Sequence, residues 1–497
     1  MPRLSLRLLW WLLAWSAIVT GGYWRASHLT NRPLHADEAV QAWLTWHLLR
    51  GDGYRYDPVD RHGPLLYFGA AGLHRLWGGN AANFGDRAAR QFVWVAGVAT
   101  LALIGLGATA AGFPRAVGAV AAALLAGETL TTLYQTYFVQ EAWLALLVWA
   151  YFFLLLRTAP PSTAASRGIP FTLGILAGLA QCTKEIAPVY LFLATISVAS
   201  VRRPCFWTSG LKAWGGGLVG WLIPYTLFYS SFGTNVAGLW DGLHSYAIQA
   251  NRLTDVSHTY PWWHYARVLG VIGGHPWRWG EIGLLALAAG GLIGAIRGVM
   301  GPALRATAWF TLSLVVMHSV IPYKVPWLLV TAMIGLTLLA AGGLEHFGRR
   351  TRWTTALAIV AAILVIGQCF TVSQIALDRY PGDARNPYFY QQTSPGLSRL
   401  LARVEHLNAA ADRALGIAVV SPAHAWPLPW YWRNHSHTGY FSSAPADLDG
   451  WDVVVWDSQL GEIPSVVAID RRLEYHGLRP NVLLQVAVAR PSGEIQP

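Results

Sequence analysis

Carboxylates and amines are scarce enough in this chain to be read one at a time. Asp and Glu total 25 in 497 residues, and two of them are adjacent, in His35-Ala36-Asp37-Glu38. Glu141 opens an apolar run, in Tyr137-Phe138-Val139-Gln140-Glu141-Ala142-Trp143. The chain has three lysines, Lys184, Lys212 and Lys324. Two of these sit in Thr183-Lys184-Glu185 and Tyr323-Lys324-Val325-Pro326-Trp327. His62, in His62-Gly63-Pro64, and Arg90 complete the set. A carboxylate can take a proton from a nucleophile or ligate a hard cation. A compact ammonium suits a phosphate, and His62 and Arg90 are weaker candidates for the same contact. Together these groups point to chemistry on a substrate carried by lipid.

Each residue also has a plain structural reading. Asp37 suits a helix N-cap, and acids suit a first turn. Lys184 and Glu185 could form a local ion pair, and Lys324 could anchor at a membrane interface. An acid inside a membrane helix costs about 2.5–3.5 kcal/mol at the centre and less near the ends. Glu141 is therefore a functional candidate or an interfacial residue, and Glu128 is a similar but less well placed one. Side chains one position apart on a helix diverge. One member of the Asp37–Glu38 pair should face a cavity while the other supports it or binds a metal. Asp37, Glu38 and Glu141 are the candidate ligands of a divalent cation, whose presence the sequence leaves open. The three cysteines, Cys182, Cys205 and Cys369, are scattered and form neither a zinc site nor a disulfide framework. No P-loop, dinucleotide fingerprint, HExxH or GxSxG appears, which disfavours an enzyme using a soluble nucleotide.

The surrounding chain is 54% hydrophobic and 12% charged, with mean hydropathy +0.36. Soluble domains carry about 25% charged residues. The 26 tryptophans suit aromatic belts at a bilayer surface. The net charge of +11 suits basic cytoplasmic loops, and no basic stripe with a nucleic-acid motif appears. Apolar runs lie near 8–24, 91–112, 116–134, 138–157, 169–182, 186–201, 211–230, 281–297, 305–321, 326–344 and 353–372. The first follows Arg3 and Arg7 and lacks a cleavage site, so it reads as an uncleaved membrane helix rather than a signal peptide. Eleven crossings would put the N-terminus inside and the C-terminus outside. The inner loops would then hold Arg115; Arg157 and Arg167; Arg202, Arg203 and Lys212; Arg297 and Arg305; and Arg349, Arg350 and Arg352.

The expected first outer loop, about 25–90, holds two amphipathic helices. Val40, Trp43, Leu44 and Leu48 make the stripe of the first, which Gly51-Asp52-Gly53 ends. Pro64 opens the second. Beyond about residue 373 the composition turns polar. A helical pattern (Leu397, Leu400, Leu401, Val404, Leu407) then precedes apolar runs at 415–420, 451–456 and 482–488. The expectation is a mainly α, polytopic membrane domain over 1–372 and a small α/β extracytoplasmic domain over 373–497.

This order of motifs resembles the glycosyltransferase-C superfamily, which includes protein O-mannosyltransferases and lipid A aminoarabinose transferases. It is more closely similar to a bacterial and archaeal membrane family labelled flippase activity-associated protein. The likeness rests on His35-Ala36-Asp37-Glu38-Ala39, Tyr54-Arg55-Tyr56-Asp57-Pro58, His62-Gly63-Pro64-Leu65-Leu66-Tyr67, Thr183-Lys184-Glu185, Lys324-Val325-Pro326-Trp327 and Trp426-Pro427-Leu428-Pro429-Trp430-Tyr431. It implies a glycosyltransferase-C fold in a bacterial or archaeal cytoplasmic membrane. It also implies a polyprenyl-phosphate-linked sugar as donor, and a glycan, lipid or protein as acceptor. Asp37 would be the catalytic base, with Glu38 beside it. Glu141 would stand where relatives often have Asp, and His62 where aminoarabinose transferases tend to have lysine. Binding of the lipid phosphate at His62 would then be weaker, or shared with Arg90, Lys184 or Lys324, and Glu185 and Tyr323 would complete the substrate-binding set. The reaction would be an inverting single displacement on the outer face. The alternative is a non-catalytic flippase or flippase accessory for lipid-linked sugars. A scaffold whose outer domain binds a partner is a third reading.

Overall fold

The computed structural model describes residues 2–157, 168–202, 210–252, 259–270 and 280–489, except 384, 412, 423, 424, 446, 449, 465, 466 and 468–470. Arg167, Arg203 and Cys205 lie outside the described residues, as does the side chain of Lys212. The chain divides into two compact units, Met1–Leu29 with Leu44–Arg379, and Thr30–Trp43 with Tyr380–Pro497.

The first unit is helical. Its elements are α1 (Pro2–Ser27), α2 (Ala36–Arg50, divided between the units after Trp43), α3 (Leu65–Leu76), α4 (Asp86–Ala102), α5 (Arg115–Gly127), α6 (Thr129–Tyr134) and α7 (Glu141–Arg157). They continue with α8 (Gly168–Gln181), α9 (Ala187–Ala199), α10 (Gly210–Tyr229), α11 (Gly238–Arg252), α12 (His264–Gly270) and α13 (Ile282–Ile296). The unit closes with α14 (Pro302–Val320), α15 (Val330–Gly348) and α16 (Arg352–Gln374). The eleven apolar runs fall on these helices, with two departures: the run at 116–134 breaks at Glu128 between α5 and α6, and the run at 91–112 continues past α4 through further helical turns to Ala111.

Four helical stretches among the described residues are long and apolar enough to cross a membrane: Asp86–Ala111, Pro302–Val320, Pro326–Gly348 and Arg352–Arg379. The protein is an integral membrane protein. Four of the eleven expected crossings meet that length and hydropathy among the described residues. α5, α8, α9 and α13 are apolar but only 13 to 15 residues long. A helix of 13 residues spans about 20 Å, against about 30 Å of hydrocarbon.

Small residues let these helices approach closely. A Cβ on Gly174 of α8 would meet the Gly217 carbonyl oxygen of α10 at 2.0 Å, and one on Gly220 would meet the Phe171 oxygen at 2.2 Å. Polar residues close the helix ends. The fully buried Arg25 guanidinium donates to the Leu125 and Ala126 carbonyls at 2.9 Å each, where α5 stops. Glu128 then caps α6, accepting from the amides of Leu130 and Thr131 at 2.8 Å each. Those are the groups that a helix end leaves without intrahelical partners, and Glu128 is taken up by this work.

The second unit holds α17 (Gly396–Ala411), the short α18 (Leu428–Tyr431) and five strands. The strands are β1 (Ile417–Val420), β2 (Thr438–Phe441), β3 (Val453–Asp457), β4 (Arg471–Arg479) and β5 (Val482–Ala489), in the order β2-β1-β3-β5-β4. β2, β1 and β3 run parallel, and β5 is antiparallel to β3 and β4. Ile417, Val419, Val453 and Val455 pack with Leu397, Leu400 and Val404 of α17. Ala418, Val420, Val454 and Trp456 pack with Leu448, Ile463 and Val467. Both faces of the central strands are thus covered, which is why they read as unbroken apolar runs.

Candidate active site

In the second unit, the N-terminus of α2 holds the adjacent acids, and the two differ sharply. Glu38 is fully buried, and its Oε2 accepts from the His35 amide at 2.9 Å. The His35 ring answers by accepting the Asp37 amide on Nδ1 at 3.1 Å. This resembles a capping box, with histidine in the usual Ser or Thr place and its ring on the second rather than the third amide of the helix. It leaves the Nε2 of His35 to carry the proton in the neutral ring. The Asp37 side chain is 55% exposed, with Oδ2 3.8 Å from His35 Nδ1. The expected N-cap at Asp37 therefore falls to His35, two positions earlier. Asp37 is left at the mouth of the helix with its carboxylate turned to solvent.

In the first unit, two long-range ion pairs are joined through the adjacent residues Lys184 and Glu185. Lys184, in the turn between α8 and α9, places its ammonium 2.5 Å from Glu141 Oε1 at the start of α7. The next residue, Glu185, pairs with His62 Nδ1 at 2.8 Å and accepts from the Tyr56 hydroxyl at 3.1 Å. The local Lys184–Glu185 pair considered from sequence is thus replaced by two long-range pairs. The His62-Gly63-Pro64 turn makes this possible. A Cβ on Gly63 would lie 2.3 Å from the Cys182 carbonyl oxygen, so only glycine lets the turn lie against the end of α8. The Leu65 amide bonds that same oxygen at 2.8 Å.

Charge follows from the geometry. Burial disfavours the Lys184 ammonium, but the Glu141 carboxylate beside it wins, and the lysine's pKa lies above its ordinary value. Burial likewise opposes ionisation of Glu185. The charge and hydrogen bond of His62, with Lys184 behind them, outweigh it and hold the carboxyl below its usual range. Tyr56, buried against Glu185, is pushed far up by desolvation first and by that carboxylate second.

Lys324 lies beyond the end of α14. Its ammonium donates to the Ser319 carbonyl at 3.0 Å and also to the Ile321 carbonyl. A cation there suits the negative end of a helix, and two of its three donors are in use. Lys184 and Lys324 both lie within electrostatic reach of the His318 ring, and Tyr323 lies within reach of Lys184. His318 Nε2 is 2.7 Å from the Tyr190 hydroxyl. Arg90, fully buried in α4, donates to the Leu29 carbonyl at 3.0 Å. Among the described residues no three His, Cys, Asp or Glu side chains are grouped to hold a metal ion. Glu38 is committed to its cap and Glu141 to its lysine.

Sequence reasoning passed over Tyr190 and His318. A histidine within an apolar span was the available signal, since ionisable groups there seldom lack a partner. Tyr56 was part of a motif but had no role assigned to it.

No family model matches the chain, and no curated protein matches it. Solved structures do. ArnT, an aminoarabinose transferase from Cupriavidus metallidurans bound to undecaprenyl phosphate, aligns with TM-score 0.61 at 14% identity, over 97% of this chain and 99% of that one. The oligosaccharyltransferase AglB from Archaeoglobus fulgidus, with an inhibitory peptide and a dolichol-phosphate, aligns with TM-score 0.56 at 12% identity, over 93% and 73% of the two chains. The chain therefore shares its fold with these two transferases. At these identities the likeness extends to the fold and not to substrates. The Archaeoglobus protein has also been solved with zinc and sulfate, and that structure aligns with TM-score 0.52 at 11% identity over 89% of this chain and 68% of that one.

Proposed function

We propose that the protein is a membrane glycosyltransferase that moves a sugar from a polyprenyl-phosphate donor to an acceptor hydroxyl or amine on the outer face of the membrane. The observation that carries this reading is the linked set Glu141–Lys184 and Glu185–His62, with Lys324 and Tyr323 in electrostatic range, within a glycosyltransferase-C fold. Solved proteins of that fold hold undecaprenyl phosphate and dolichol phosphate.

In the reaction, the acceptor oxygen or nitrogen attacks C1 of the sugar and the bond from C1 to the phosphate oxygen breaks. The acceptor proton passes to Asp37, and polyprenyl phosphate leaves with the bonding pair. One direct displacement inverts C1. Phosphate departs readily once its charge is met, so the enzyme needs one base and fixed cations rather than a covalent intermediate. Lys184 and Lys324 meet the phosphate, with Tyr323, His62 and Arg90 as supporting donors. Glu141 and Glu185 hold Lys184 and His62 in place. Glu38 holds the helix end that carries Asp37. Eleven membrane passages, with the N-terminus inside and the C-terminal unit outside, belong to the same proposal.

The test is the purified protein in lipid vesicles with undecaprenyl-phosphate-linked hexoses. Release of free undecaprenyl phosphate, matched by glycosylated acceptor or free sugar, is expected. Movement of the intact lipid-linked sugar between leaflets without release would instead identify a flippase.

A further inference from the structure

The proposed reaction leaves one sequence motif without work: Trp426-Pro427-Leu428-Pro429-Trp430-Tyr431, in the second unit. Its partner there is the short segment that precedes Asp37. Residues 30–35 belong to no helix or strand, so no ladder of backbone hydrogen bonds sets their path. Side chains do it instead. The Leu34 amide donates to the Tyr431 hydroxyl oxygen at 2.7 Å. The Leu34 carbonyl accepts from Thr393 Oγ1 at 2.7 Å, and the Pro33 carbonyl accepts from Gln392 Nε2 at 3.1 Å. Leu34, Gln392 and Thr393 are all buried. On the far side of Asp37, Trp43 meets the edge of Trp426, with ring centroids 6.1 Å apart. The motif is itself held firmly. Trp430 is fully buried, the Arg433 guanidinium lies 3.7 Å from its ring centroid, and Arg433 donates to the Trp430 carbonyl at 2.8 Å.

The hydrogen bonds converge three residues before the exposed carboxylate, and the capping box takes over one residue later. Each buried polar group they serve would be costly to leave unmade. An acid in the first turn of a helix that is entered through an irregular segment is thereby given the fixed placement that general-base chemistry requires. We propose that the second unit is the frame that fixes the Asp37 carboxylate, with Tyr431 and Thr393 as positioning residues. The proposal rests on the reading of Asp37 as the base.

Tyr431→Phe removes one acceptor and keeps the ring, and Thr393→Val does the same for one donor. Two measurements on the full-length protein test the idea. In hydrogen–deuterium exchange, the Leu34 amide should exchange at least about tenfold faster in Tyr431→Phe, with the amides of β1 and β3 unchanged. In turnover of undecaprenyl-phosphate hexose, each variant should lower kcat by about 10- to 100-fold with KM for the donor unchanged. Wild-type exchange at Leu34, or wild-type kcat in both variants, would overturn the positioning role. Asp37→Asn, run beside them, separates the two levels. If it turns over normally, the base assignment falls and the positioning role with it. If it is inactive while Tyr431→Phe and Thr393→Val are normal, only the positioning role falls.

Discussion

Lys184 is tightly constrained, since its ammonium and the Glu141 carboxylate are both largely buried. Removing one partner of such a pair costs about 3–5 kcal/mol, because the other charge stays buried alone. Lys184→Met should therefore destabilise the protein strongly, and Lys184→Met with Glu141→Gln should recover most of the loss. Chemical unfolding in detergent checks this; additive effects of the two changes would mean that the pair is not coupled. Glu185 gives a pH dependence. Its carboxyl pKa is lower when folded than when unfolded, so its contribution is present above about pH 4.5 and is lost as pH falls through the depressed folded value. The thermal midpoint of the wild type should therefore drop more steeply below pH 4.5 than that of Glu185→Gln. Equal slopes would remove the electrostatic account of the pair. At this scale the sequence showed which residues were unusual but not their partners. Lys184 and Glu185 are adjacent in the chain, and each finds its partner in a distant segment, which no local pattern encodes.

At the scale of elements, turns and helix ends carry the site. The His62-Gly63-Pro64 turn works because Gly63 has no Cβ to strike the Cys182 carbonyl. Gly63→Ala should shift that turn, cost about 1–3 kcal/mol, and separate His62 from Glu185. The midpoint of unfolding measures the first effect and the His62 ring resonances the second; an unchanged midpoint would show that the turn is slack. The helices at 36–50 and 65–76 were legible through their local glycine and proline end signals. The buried side of the first, however, is Ala39, Ala42, Trp46 and Leu49 rather than the expected stripe of Val40, Trp43, Leu44 and Leu48, which is only partly buried. Helix α17 and strands β1, β3 and β5 were legible because buried strands are continuous apolar runs. Strands β2 and β4 were not. They are the sheet edges; β2 has four residues, and β4 carries Arg471, Arg472, Glu474 and Arg479. Edges are often kept short or charged, which also hides them from an apolar pattern.

At the scale of the whole molecule, the notable arrangement is the grouping of Thr30–Trp43 with Tyr380–Pro497. Composition pointed to a boundary near 373 and could not show that a segment from the far end of the chain joins the C-terminal fold. That contact is long-range and made by side chains. The membrane character was plain from hydropathy. Of the eleven expected crossings, four meet the length and hydropathy of a bilayer span among the described residues, and several other apolar helices are too short for a bilayer taken alone. The glycosyltransferase-C fold was anticipated through the order of short motifs and agrees with the solved structures. The molecule is a helical membrane body with buried, paired cations, and a second unit in which the Asp37 carboxylate is exposed at a helix end. The most direct measurement compares wild type and Asp37→Asn, both folded and in lipid, for binding of undecaprenyl phosphate and for its release from an undecaprenyl-phosphate hexose. The account predicts equal binding and no release by the variant. Release at the wild-type rate would contradict it.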